Sequence, residues 1–137
     1  MIKLNTYINF KNNQCLETME FYQNILGGNL NVMSVKGSPM EDAFPDGIDI
    51  LHADLTGDDF TIQGTDIANP DVEATNGIVS ITLNCPNLED MRNKFARLSE
   101  GGKTVHPIMT FFAGSMGNVV DKYGVRWGIF TEEKNRK

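Results

Sequence analysis

His52 and His106 are the two histidines of this chain, so any imidazole chemistry must run through one of them. His52 stands in Ile50-Leu51-His52-Ala53-Asp54-Leu55. Strand alternation there puts His52 and Asp54 on one face and Leu51, Ala53 and Leu55 on the other. The apolar set is fit to pack under a helix, which turns His52 and Asp54 toward an open, polar side. An imidazole next to a carboxylate is the pairing of a base with its orienting group. Positions i and i+2 of a strand stand about 7 Å apart, so a direct hydrogen bond between them is not expected without a water. His106 precedes Pro107 and has no readable face. A His52/Asp54/His106 metal site is conceivable but needs its own geometry. A histidine satisfied by hydrogen bonds in a polar cavity is the simpler expectation.

The same alternation brings further polar groups to the His52 side. Tyr7, Gln63, Ser80 and Thr82 each stand opposite an apolar set (Ile8, Ile62, Ile81) and are expected to orient a ligand. Phe111-Phe112-Ala113-Gly114-Ser115 reads as a partly apolar rim; Phe112 is the candidate contact, with core packing or a subunit contact equally open. Trp127 alternates with Val125 and Ile129 and belongs to the core. Cys15 and Cys85 lack CxxC or histidine spacing, so they read as small reduced thiols rather than a disulfide or zinc site.

The elements that must position these residues come in two copies. Leu16-Glu17-Thr18-Met19 opens one amphipathic segment, and Leu88-Glu89-Asp90-Met91 opens another 72 residues later. Each runs to a leucine (Leu26, Leu98), a glycine pair (Gly27-Gly28, Gly101-Gly102) and a strand-like stretch. A period near half the chain length signals a duplicated supersecondary unit, with ligands expected where the copies face each other. Repeat one, about 1–67, reads as strand 4–10, helix 14–26, and strands 30–35, 48–55 and 60–64. The apolar stripe of the helix is Leu16, Met19, Tyr22 and Leu26, Asn12-Asn13 is its expected cap, and Thr56-Gly57-Asp58-Asp59 is a hairpin turn. Repeat two, about 76–131, reads as strand 78–83, a helix from Asn87 to Leu98 with Asn87 and Asp90 as a capping pair, and strands 104–109, 117–121 and 125–130. Residues 68–76 form the linker, 36–47 a long loop, and 132–137 a charged tail expected to fray. The fold class is α+β, a single domain over 1–137 built from two β-α-β-β-β repeats.

Charge and composition exclude some roles. Net charge is −6, with 3 Lys/Arg against 11 Asp/Glu over 1–72 and 9 against 7 over 73–137. A chain this acidic, without a basic cluster, is not expected to bind nucleic acid, which needs cations against phosphates. Neither a spanning segment nor a signal peptide is evident, so no membrane partner and a cytoplasmic location are expected.

Several stretches in order resemble the vicinal-oxygen-chelate superfamily of glyoxalase I, extradiol dioxygenases and bleomycin-resistance proteins, and within it the PhnB-like branch. They are Tyr7-Ile8-Asn9-Phe10; Glu20-Phe21-Tyr22 followed by Gly27-Gly28; His52-Ala53-Asp54-Leu55; Glu100-Gly101-Gly102-Lys103; and Gly117 through Asp121-Lys122-Tyr123-Gly124-Val125-Arg126-Trp127. The resemblance implies an eight-stranded, half-open barrel-like curved sheet around a cavity, with helices outside, usually as a homodimer. Metal-dependent relatives place a His or Glu ligand on the first and last strand of each unit. Those positions fall at Tyr7 (or Thr6), Gln63, Ser80 and Gly128, a set that lacks the imidazoles and carboxylates a divalent metal wants. The expectation is therefore a metal-free, cofactor-free protein that binds an unidentified small molecule as a homodimer. The alternative is a lyase- or dioxygenase-like enzyme with a displaced metal site or a His52-based acid–base site. A third class is an interaction module whose dimer groove takes no metabolite. Some PhnB-like relatives carry a methyltransferase label, yet this chain has no Gly-rich strand-to-helix turn for a nucleoside cofactor.

Overall fold

Alternating and amphipathic segments fold as the repeat predicts, and the computed structural model describes them over residues 2, 4–44, 47–67 and 79–134. The chain divides into two units, 1–73 and 74–137. Unit one contains β1 (Thr6–Asn9), α1 (Cys15–Leu26), β2 (Asn29–Ser34), β3 (Ile50–Thr56) and β4 (Thr61–Thr65). Its sheet runs β1-β4-β3-β2, with β1 and β4 parallel and the other pairs antiparallel. Unit two contains β5 (Ile81–Cys85), α2 (Leu88–Ser99), β6 (Lys103–Phe111), β7 (Gly114–Val120) and β8 (Arg126–Thr131). Its sheet repeats the plan as β5-β8-β7-β6, again with one parallel pair, β5 with β8. Among the described residues the fold is α+β, eight strands in two open four-stranded mixed sheets with one α-helix on each. The expected linker 68–76, residue Ile78 and the tail 135–137 lie outside the described residues.

One face of each sheet packs on its helix. In unit one Ala53, Leu55 and Ile62 are buried against the helical layer of Cys15, Met19, Tyr22 and Ile25. In unit two Val119, Trp127 and Ile129 are buried with Leu88, Met91 and Leu98 of α2. The repeated glycine pair has a packing reason. Gly28 has φ 95° and a Cβ there would lie 2.7 Å from the carbonyl oxygen of Thr56, at the end of β3. Gly102 presses in the same way on the carbonyl of Val120, at the end of β7. No side chain larger than hydrogen fits where the chain crosses so close to a strand end.

Three local expectations need correction. The buried stripe of α1 is Cys15, Thr18, Met19, Tyr22 and Ile25, so Leu16 is 41% exposed and does not cover the sheet. Thr18 fits the interior because its hydroxyl bonds back to the carbonyl of Gln14 at 2.6 Å. Asn12 and Asn13 do not cap α1. Both take left-handed backbone (φ 58° and 55°), and the Asn13 side chain instead bridges Gly47 O (2.6 Å) and Asp49 N (3.1 Å). The first turn is served from across the sheet: Asp66, 6% exposed, accepts from Cys15 N and from Ile50 N, both at 2.9 Å. The tail is also tied down further than expected, as Ser115 Oγ donates to Glu133 O at 2.9 Å. The α2 cap is as read, with Asn87 Oδ1 accepting from Asp90 N at 2.8 Å.

Candidate functional site

Register in unit one lines up Tyr7 with Gln63, Gln63 with Asp54, and Asp54 with Asn31, a polar row across all four strands. His52 follows two residues before Asp54 on the same face, opposite Met33. Because Ala53, Leu55 and Ile62 take the helix side, alternation leaves these polar groups on the other.

Hydrogen bonds converge on Asp54 at the centre of the row. His52 Nε2 lies 2.9 Å from Asp54 Oδ1, and Gln63 Nε2 donates to the same oxygen at 2.8 Å. The Tyr7 hydroxyl stands 3.4 Å from His52 Nδ1, and the two rings are tilted at 33° with centroids 5.7 Å apart. The direct His52–Asp54 bond corrects the expectation of a bridging water. The Cα separation of about 7 Å holds for an extended strand, but these two side chains lean toward each other along it. The Gln63 amide bond, ahead of the two contributions of His52, holds the Asp54 carboxyl below its usual value against a smaller opposing effect of burial. His52 and Asp54 side chains are 36% and 33% exposed, so the row is open to a ligand on one side.

Unit two builds the equivalent row from other residues. Thr82 pairs with Gly128, Gly128 with Asn118, and Asn118 with His106. Thr82 is therefore the counterpart of Tyr7, while Ser80 precedes β5 and is displaced by two residues from that position. Opposite Thr82, Gly128 leaves a gap: a Cβ there would lie 3.4 Å from Asn118 Oδ1 and 3.9 Å from Thr82 Oγ1. Phe112 sits at the turn between β6 and β7, 89% exposed, with its ring edge-on to Phe111 at 5.4 Å. Asn31 and Asn118 were not singled out from the sequence. Matching β2 with β6 and β3 with β7 between the repeats by register finds them, but alternation alone gives no chemical flag. Trp127 is in the core as expected, its indole N–H donating to Asp121 Oδ2 at 2.9 Å. The two thiols are buried as well. Desolvation, with Asp66 adding to it, pushes Cys15 up to about 12. Desolvation, with Asp90 adding to it, pushes Cys85 up to about 11.

Neither row suits a divalent transition metal. The chelating positions carry a phenol, a primary amide whose N–H points at Asp54, a threonine hydroxyl and a glycine. Imidazole and carboxylate donors must converge to hold such an ion, and among the described residues no three His, Cys, Asp or Glu side chains do so. A cleft of about 350 Å³ opens elsewhere on unit one, between Asn13, Leu16, Glu17, Glu20, Asp49 and Ile50, and none of the expected ligand contacts lines it.

Comparison with known proteins places this architecture. The family model described as 3-demethylubiquinone-9 3-methyltransferase matches residues 2–130. The chain belongs to that family. It is 29% identical to protein YjdN of Escherichia coli over 143 aligned positions, covering 92% of each chain. Protein PA1353 from Pseudomonas aeruginosa is 28% identical, with a TM-score of 0.78 over 97% of this chain and 100% of that one. A PhnB protein from Bacillus cereus is 22% identical, with a TM-score of 0.73 over 95% of this chain and 99% of that one, and so shares the fold. Among the described residues no helix is long and apolar enough to cross a membrane.

Proposed function

We propose that this PhnB-like protein binds a small organic molecule without a metal, on the polar face of the first sheet. The observation that carries the reading is the half-exposed Tyr7–His52–Asp54–Gln63 row, in which His52 and Gln63 are hydrogen-bonded to Asp54 and the Tyr7 hydroxyl stands 3.4 Å from His52. His52, Asp54 and Gln63 hold one another in place, so their open donors and acceptors are fixed before a ligand arrives, which lowers the entropy cost of binding. Repeat two offers its own contacts in Ser80, Thr82 and Phe112. The protein acts in the cytoplasm as a homodimer.

The methyltransferase name attached to the family is not adopted for this chain. Its strand-to-helix connections, Phe10-Lys11-Asn12-Asn13-Gln14 and Pro86-Asn87, hold no glycine that would let a backbone approach a nucleoside cofactor. The test is native mass spectrometry with elemental analysis on protein purified without denaturation. One organic adduct per chain and no stoichiometric Ni, Zn, Fe or Mn are expected. One divalent transition metal per chain, lost on His52→Ala, would overturn the reading.

A further inference from the structure

We infer that His52 is a general base acting through Nδ1, with Asp54 and Gln63 as its positioning residues, and that the ligand is a neutral organic molecule that gives up an acidic proton. The inference rests on the reading that the ligand lies on this face of the first sheet.

The proton inventory of the row fixes where each hydrogen lies. Asp54 Oδ1 faces two nitrogens, Gln63 Nε2 at 2.8 Å and His52 Nε2 at 2.9 Å. An ionised carboxylate only accepts, so both nitrogens must donate. The Gln63 amide N–H is one donor; the other requires the proton of a neutral imidazole to sit on Nε2. Nδ1 is then left with its lone pair. Its one neighbour in the row, the Tyr7 hydroxyl, stands at 3.4 Å, beyond the usual reach of about 2.5–3.0 Å for a hydroxyl hydrogen bond. Nδ1 is thus oriented from behind by a carboxylate and only loosely engaged in front. This is the arrangement of an activated base with its orienting group.

Gln63 is what makes the arrangement stable. A second carboxylate at that position would share a proton with Asp54 and compete for the role His52 needs it to play. An amide instead donates to Oδ1 and keeps the carboxylate ionised. When Nδ1 takes a proton, the new imidazolium is neutralised at 2.9 Å by Asp54, with Tyr7 from β1 the other titratable group facing the ring. In the step itself the ligand X–H bond breaks, the Nδ1–H bond forms, and the electron pair stays on the ligand as an anion paired with imidazolium. A neutral substrate fits better than an anion, since residues 1–72 already carry 3 Lys/Arg against 11 Asp/Glu.

Two measurements on the full chain decide the matter. Nitrogen-15 ring correlation spectra of the free protein read the tautomer directly. A protonated Nε2 with a bare Nδ1 is expected in wild type, and loss of that preference in Asp54→Asn. A wild-type ring protonated on Nδ1 would overturn the inference. The second probe is 5-nitrobenzisoxazole, whose ring opens when a base removes the C3 proton and the N–O bond breaks to a coloured cyanophenolate. Wild type should open it at least about tenfold faster than His52→Ala, within the range general bases supply. Asp54→Asn should slow the opening as well, because the ring loses the carboxylate that orients it. Equal rates in wild type and His52→Ala would overturn the base. An organic adduct that survives in that case would leave the binding reading standing, whereas wild-type protein that carries no organic adduct yet keeps the tautomer and the rate difference would do the reverse.

Discussion

Replacing Gln63 by glutamate tests the electrostatic design of the polar row with almost no change in shape. The amide nitrogen lies 2.8 Å from Asp54 Oδ1, so Gln63→Glu swaps a donor for a second carboxylate oxygen at that distance. Two unit charges this close repel by about 1.5 kcal/mol in a water-like dielectric and about 6 kcal/mol at an effective constant of 20. The Asp54 side chain is 33% exposed, so solvent screening pulls the value toward the lower figure. With the lost charge-assisted hydrogen bond included, the variant should be less stable by about 2 kcal/mol at neutral pH, or about 6 °C in melting temperature for a chain of this size. Circular-dichroism melts of variant and wild type at about pH 7.5 and about pH 5 supply the assay. In wild type the Asp54 pKa is lowered, so its stabilisation is present above the unfolded-state value and fades as pH falls through the folded one. In the variant the carboxylate pair has a raised pKa, so the deficit must shrink already as pH drops toward 5, when one shared proton rebuilds an O–H···O bond. Gln63→Leu, which removes the donor without adding charge, should lose only about 1 kcal/mol and keep that deficit to lower pH. Equal melting temperatures for Gln63→Glu and wild type at pH 7.5, or a deficit that widens on acidification, would refute the reasoning.

Asp121→Ala should cost about 2–4 kcal/mol, read from urea unfolding. It removes a 2%-exposed carboxylate that accepts from Tyr123 N, Val125 N and the buried Trp127 indole N–H. A loss under about 0.5 kcal/mol would show that the turn and indole are held by other means. Cys15 and Cys85, pushed up to about 12 and about 11, should stay unreactive toward a disulfide reagent at pH 8 until the protein is unfolded. Rapid labelling of native protein would contradict their burial. Light scattering of the proposed homodimer should give about twice the 15.2 kDa chain mass at micromolar concentration, and a monomer mass would exclude it.

Much of the molecule was legible because strands and helices write their faces into the chain at fixed periods. Ala53-Asp54-Leu55 declares by alternation which residues go under the helix, since burial favours one chemical set and solvent the other, whereas at the start of β3 the order reverses, with Ile50 buried and Leu51 half-buried. The duplicated glycine pairs announced the two-repeat plan, and the residue types at Gln63 and Gly128 are written in the sequence itself. Periodicity constrains only the residues of one element, however. The rotation of α1 that buries Thr18 and exposes Leu16 depends on how the helix seats on its sheet, and α1 takes its first hydrogen bond from Asp66, 51 residues away. Thr82, Gly128, Asn118 and His106 came into one line across the second sheet only through strand register, which is set by pairing between strands. The His52–Asp54 contact depended on the lean of two side chains along one strand, with Gln63 on the neighbouring strand donating to the same oxygen. The residue types in the site were thus set locally by the amino-acid pattern. Where their protons sit was decided by hydrogen bonds between strands, which exist only once the chain has folded.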